Sequence, residues 1–249
     1  MVDEKRPPRK GVYLLPNLFT TASLFSGFLA VLWAAGGRFE HCAMAILFSG
    51  VMDALDGQVA RLTRTASEFG VQYDSLCDLV AFGVAPGAML YYWQLEPFGR
   101  LGIGVAFLFA ACGALRLARF NSTASTGAKK NFIGMPIPAA ACTLATLVLF
   151  YRYIPSVMLP YFAHACLIFA ICLACLMVSR VRYAALKEYG VIKAHPFRTM
   201  VSLILLFVCI IAEPRLLGFL LCMAYLLSGL VHTFIIIPRR SRRILTSLV

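Results

Sequence analysis

The stretch MDALDGQVARLTRTASEFGVQYDSLCD, residues 52–78, holds five of the 11 acidic residues of a 249-residue chain that is otherwise largely apolar. Asp53 and Asp56 are three apart, and Gly57, Ala60 and Arg61 follow at steps that keep all five on one broad helical face. After a short join, Gly70, Asp74 and Asp78 recur at intervals of four and form one stripe along a following helix. Two antiparallel neighbours of this kind bring four carboxylates together. Gly57 and Ala60 leave the first face bare, so a ligand's backbone or phosphates can come close.

Outward from that stretch, 61% of the residues are hydrophobic and 14% are charged, with apolar runs of helix length from end to end. This is the composition of a polytopic, all-α integral membrane protein. A bilayer core takes roughly 20 mostly apolar residues per helical span, and the short alternating segments of a strand barrel are absent. Eight transmembrane helices are predicted, near 16–36, 41–62, 71–93, 100–120, 133–151, 159–180, 198–213 and 215–237.

Alternating these spans across a bilayer puts 19 of the 23 Lys and Arg on one side, in the N-terminal arm, the joins after the second, fourth and sixth spans, and the tail. Arg38, Arg100, Arg152 and Arg215 fall on the other side. Cytoplasmic loops are enriched in basic residues, so both termini are expected in the cytoplasm, which an even number of spans requires. Basic arms of this kind sit against anionic headgroups, so the net charge of +12 needs no nucleic acid to explain it. The first apolar stretch is long and carries Asn17, Thr20, Thr21, Ser23 and Ser26, which favours a retained helix over a cleaved signal peptide. The nine cysteines are scattered through the spans as small apolar filler, and the four histidines have no metal-ligand spacing.

A carboxylate near a membrane interior costs roughly 2.5–3.5 kcal/mol on insertion scales, and several in one place also repel each other. Something positive must balance them. Hard oxygen donors without His or thiolate partners point to Mg²⁺, Mn²⁺ or Ca²⁺, and Mg²⁺ is usually shared between carboxylates and substrate phosphates. A structural network with Arg61 and Arg64, or the ion pathway of a transporter, are the other readings of the same spacing.

Written as a pattern, Asp53 to Asp78 is DxxDGxxAR, eight residues, then GxxxDxxxD, and it resembles the signature of the CDP-alcohol phosphatidyltransferases at every fixed position. The resemblance implies that family's fold, an integral membrane homodimer, and a CDP-linked lipid bound through Mg²⁺ or Mn²⁺, two ions per site, with Ca²⁺ as an admissible occupant. It makes Asp53, Asp56 and Asp74 metal ligands, and has Asp78 both reach the metal and act as the base. Gly57, Ala60, Arg61 and Gly70, with Asp53 and Asp74, would shape the cytidine diphosphate pocket. Asn17 and Thr20, at the cytoplasmic start of the first span, would hydrogen-bond the nucleotide, although such residues also serve as ordinary helix caps.

The stretches LPNLFTTASLFSG (15–27), DSLCDLVAFGVAPG (74–87), RLARFN (116–121), NFIGMPIPAA (131–140) and MVSRVRY (177–183) look like the membrane-type phosphatidylserine synthase branch. The chain then divides into a basic interfacial arm (1–14), a six-helix catalytic core (15–193), two additional helices (194–238) and a basic tail (239–249). The implied substrates are CDP-diacylglycerol and L-serine, with CMP released at the cytoplasmic face of a prokaryotic membrane. Ser75, Arg116, Arg119 and Asn121 are the candidate serine-binding residues, since guanidinium matches a carboxylate with two parallel hydrogen bonds. Arg at a cytoplasmic helix end is also what orientation alone demands. A phosphorylated acceptor, glycerol 3-phosphate or an inositol phosphate, would want a denser cation cluster, and choline an aromatic cage. An ion-coupled transporter would give flux without CMP.

Overall fold

The computed structural model describes residues 14–63, 67–124, 134–179, 181, 213–231 and 233, and every regular element among them is helical. Helix α1 (Leu14–Ala35) ends where Gly37 takes a φ of 72°. Gly37 N–H donates to Ala34 O at 3.1 Å and Arg38 N–H to Trp33 O at 2.8 Å, the paired bonds by which a left-handed glycine closes a helix end. The chain thus reverses within three residues into α2 (Phe39–Thr63), which lies along α1. Their seam is small and hydroxylated. Ser23 and Ser49 Oγ atoms are 2.6 Å apart, and Ser26 Oγ donates to Ala45 O at 2.8 Å. In a bilayer, close packing and such interhelical bonds replace the hydrophobic drive that water supplies elsewhere.

Helix α3 (Glu68–Asp78) is capped by Ser67, whose Oγ accepts the Gly70 N–H at 3.0 Å. The chain stays helical through a π turn at Leu79–Val84, α4 (Ala85–Leu90), a second π turn at Tyr91–Leu95 and a 3₁₀ turn at Glu96–Phe98. Each π turn ends beside a proline. Ala85 N–H bonds back five residues to Val80 O just before Pro86, and Glu96 N–H reaches Tyr91 O just before Pro97. A proline ring lacks the donor and crowds the carbonyl four residues back, so the helix widens there instead of breaking.

Helix α5 (Arg100–Ala124) is followed by α6 (Ile137–Phe150), α7 (Leu159–Val178) and α8 (Pro214–Val231). At the approach to α6, Gly134 has a φ of 84° and donates to Val181 O at 2.8 Å, and Met135 N–H donates to Leu176 O at 3.1 Å. A side chain at Gly134 would collide with the Met177 carbonyl. Helix α6 is the buried centre, with Ala140, Ala141 and the whole run from Thr143 to Leu149 inside; α2 and α8 pack on it, and α5 packs on α7. Phe82, Phe109, Ile46, Met89 and Leu173 fill the core, while Phe25, Phe28, Phe48, Phe107 and Ile168 face outward. A large apolar exterior of this kind belongs against lipid.

Among the described residues, five helical stretches are long and apolar enough to cross a membrane: Asn17–Ala35, Phe39–Ala60, Glu68–Phe98, Arg100–Ser122 and Ser156–Val178. They coincide with five of the eight expected spans. The fifth and eighth expected spans fall on the shorter apolar helices Ile137–Tyr153 and Arg215–Val231. Nearly all of the seventh, together with the basic arm and the tail, lies outside the described residues.

Candidate active site

The short turn between α1 and α2 and the cap at Ser67 put the C-terminal half of α2 beside α3 and the start of α1. One carboxylate oxygen from each of Asp53, Asp56 and Asp74 lies within 4.8 Å of the others. Asp56 is buried, and its Oδ2 accepts the Thr20 hydroxyl at 2.8 Å, a contact between α1 and α2 that aims the carboxylate. Asp78 stands outside the triangle, one turn along α3, with its carboxyl in hydrogen-bond contact with Asp53. Three converging hard oxygens with no imidazole or thiolate among them suit a divalent cation of the Mg²⁺ or Mn²⁺ type, which would also relieve their mutual repulsion.

Around the triangle, the expected nucleotide-binding residues divide. Asn17 lies near the α3 N-terminus: a Cβ added at Gly70 would sit 3.8 Å from Asn17 Oδ1 and 3.1 Å from Ser67 Oγ. Gly70 therefore keeps this corner open. Thr20, expected to meet the nucleotide, is buried and donates its hydroxyl to Asp56. Gly57 and Ala60 lie on α2 and are partly exposed, and Arg61 is on the same helix, with its side chain outside the described residues.

The four expected acceptor residues also separate. Asn121 Nδ2 donates to Ser75 Oγ at 2.9 Å, while Ser75 donates its own proton to Val71 O at 3.0 Å. Ser75 thus offers a ligand only its oxygen, already shared with Asn121. Arg116 points inward, with its guanidinium in electrostatic range of Asp78 and a buried Nε that has no hydrogen-bond partner. Arg119, one turn further along α5, is exposed.

Two tyrosines at the site had no signal in the sequence. Tyr73 Oη lies 3.0 Å from Thr21 Oγ1 and ties α3 to α1, with its ring stacked on Phe69. Tyr225 on α8 lies in electrostatic range of Arg116. Period alone marks both as ordinary interface aromatics. Only the fold brings Tyr73 to Thr21 and Tyr225 into range of Arg116.

A family profile described as CDP-alcohol phosphatidyltransferase matches residues 13–169. The chain is 42% identical over 184 residues to the CDP-diacylglycerol–serine O-phosphatidyltransferase of Helicobacter pylori strain ATCC 700392 / 26695, covering 73% of this chain and 76% of that protein. It is 33% identical over 222 residues to a Methanocaldococcus jannaschii protein of the same name, covering 88% and 94%. An archaetidylserine synthase of Methanothermobacter thermautotrophicus is 34% identical over 180 residues, covering 71% and 72%.

Proposed function

The chain belongs to the CDP-alcohol phosphatidyltransferase family, and from that premise we propose that it transfers the phosphatidyl group of CDP-diacylglycerol to the hydroxyl of L-serine. The observation that carries this reading is the convergence of Asp53, Asp56 and Asp74 beside an inward Arg116. Serine is common to the names of the bacterial and archaeal relatives. Membership of a transferase family sets the transporter reading aside.

In the reaction, the serine oxygen bonds to the lipid-side phosphorus, the phosphoanhydride bond breaks, and CMP leaves with the bonding electrons. Asp78, outside the carboxylate triangle and against Asp53, takes the hydroxyl proton. Mg²⁺ or Mn²⁺, held as two ions by Asp53, Asp56 and Asp74 with Asp78 in reach, would offset the diphosphate charge and stabilise the departing phosphate. Asn17, Gly57, Ala60 and Gly70 would line the approach for cytidine diphosphate, the small residues giving room, and Arg61, on the same helix as Gly57 and Ala60, would add charge. Arg116 takes the carboxylate of serine, for which its unpaired Nε provides half of a two-pronged donor. Arg119 adds positive field at the mouth.

A groove of about 480 Å³ between α2 and α6, lined by Leu47, Val51, Leu55, Pro138 and Ala139, suits the acyl chains of the donor. The site then opens to the cytoplasm of a prokaryotic cell and the tails stay in the bilayer. Eight spans, both termini inside, and assembly as a homodimer complete the reading, on the strength of the charge asymmetry and the family resemblance.

The test is CMP release by detergent-purified protein given CDP-diacylglycerol and Mn²⁺, with L-serine, glycerol 3-phosphate, an inositol phosphate or choline, and a chelator control. Release that needs serine and stops with chelator is the expected result. Release with another alcohol instead reassigns the acceptor, and release that survives chelation removes the metal.

A further inference from the structure

Tyr73 stands at an unconstrained position of the motif, between Gly70 and Asp74, and its hydroxyl reaches across to α1, where Oη lies 3.0 Å from Thr21 Oγ1. The direction of that bond follows from the next one. Thr21 has a single hydroxyl proton, and it goes to the Asn17 carbonyl one turn back along α1, at 2.7 Å. Thr21 therefore accepts from Tyr73, and the bonds run in one line from the phenol through the threonine to the Asn17 backbone. The Cys77 thiol, one turn on along α3, also meets the Tyr73 hydroxyl, but sulfur is a weak acceptor beside a threonine oxygen.

Thr20 and Thr21 are neighbours and so point to different sides of α1, about 100° apart at 3.6 residues per turn. Thr20 donates to Asp56 on α2 at 2.8 Å, while Thr21 is held by Tyr73 on α3. The start of α1 is thus pinned to both helices that carry the carboxylates. Asn17 is the residue this double grip places, with its Oδ1 3.8 Å from where a Cβ at Gly70 would stand. The ring of Tyr73 is held separately, stacked on Phe69 with centroids 6.0 Å apart and planes 7° apart. Removing the hydroxyl alone leaves that packing in place.

We propose that Tyr73 is a positioning residue for the nucleotide half of the site: through Thr21 it holds the Asn17 turn of α1 over the Gly70 corner, where Asn17 meets the cytidine diphosphate. This role rests on the reading of CDP-diacylglycerol as donor and of Asn17 as a nucleotide contact. The bonds from Tyr73 lead to α1, away from Ser75 and Asn121, which pair with each other at 2.9 Å between α3 and α5. Its effect therefore falls on the donor and not on serine.

The test is steady-state CMP release by the full-length protein in detergent, wild type against Tyr73→Phe, Thr21→Val, Thr21→Ser, Asn17→Ala and the Tyr73→Phe, Asn17→Ala double variant. Loss of one hydrogen bond should raise the KM for CDP-diacylglycerol about three- to tenfold in Tyr73→Phe and in Thr21→Val. Thr21→Ser keeps the hydroxyl and should keep the wild-type value. The KM for L-serine and the melting temperature should hold in all of these. Asn17→Ala should raise the donor KM by itself, and adding Tyr73→Phe should change it no further, because the tyrosine acts through that residue. An unchanged donor KM in Tyr73→Phe, equal rises for donor and serine, a Thr21→Ser variant as impaired as Thr21→Val, or rises that multiply in the double variant overturn the role of Tyr73 alone. Wild-type protein that releases no CMP from CDP-diacylglycerol, or an Asn17→Ala variant with the wild-type donor KM, overturns the donor reading and the role of Tyr73 together.

Discussion

Asp78 and Thr20 sit on either side of the same carboxylates, and their chemistry separates what each contributes. Asp78→Asn keeps the size of the side chain and removes its basicity. General-base catalysis is worth roughly 10²–10⁴-fold, so kcat for CMP release should fall by that order while binding of CDP-diacylglycerol, followed by thermal shift, changes little. Retained turnover would take Asp78 out of that role. Thr20→Val also keeps shape, and it deletes the proton donated to Asp56 at 2.8 Å. Losing a partner that orients a metal ligand typically weakens metal affinity by about 10–100-fold. The Mn²⁺ concentration giving half-maximal CMP release should rise accordingly, and Thr20→Ser should restore it. A variant with wild-type Mn²⁺ dependence would reduce Thr20 to helix packing.

Those side chains meet because helices approach closely at a few small residues, and Gly27 is the clearest case. A Cβ there would stand 2.6 Å from Ala81 Cα, in the π turn that follows Asp78, so α1 and that turn can touch only through glycine. Gly104, by contrast, has nothing within 4 Å of an added Cβ. Gly27→Ala should cost about 1–3 kcal/mol through overpacking, read as a lower melting temperature in detergent. Gly104→Ala should hold or gain by about 0.5–1 kcal/mol from reduced chain entropy. Equal melting temperatures would mean that α1 shifts freely over the turn. The helices and the stripe of acids were legible in the sequence because length, period and Pro/Gly punctuation carry them. The π turns were not, since a proline alone leaves open whether a helix kinks, widens or stops. Nor was the difference between Arg116 and Arg119. A helix in lipid is apolar on both its buried and its outer face, so period does not reveal which residues point inward. Tyr225 was illegible for the same reason, and its distance in sequence from Arg116 hides their proximity further.

Across the whole molecule, the carboxylate site and the contacts that seat α8 lie at opposite ends of the helices. Asp53, Asp56 and Asp74 are near the end of α2 and the start of α3, whereas Glu40, Tyr153, Glu213 and Arg215 join the start of α2, the end of α6 and the start of α8. The ion pair at that far end is exposed, so it fixes geometry more than it adds stability, at roughly 0–1 kcal/mol. If the eight expected spans alternate across the bilayer, the two ends would also differ in charge, with 19 of the 23 Lys and Arg on the side of the carboxylates and Arg38, Arg100, Arg152 and Arg215 on the other. Such asymmetry orients a polytopic protein with its basic side in the cytoplasm, where a water-soluble acceptor and the nucleotide product are found. Reporter fusions test this directly. A green fluorescent protein at either terminus should fluoresce, and an alkaline phosphatase at either terminus should be inactive, because the eight-span reading puts both tails on the basic side. Activity of phosphatase at the C-terminus alone would mean an odd number of spans. Phosphatase activity at both ends would keep the even count and invert the site, placing the carboxylates where neither serine nor nucleotide is supplied.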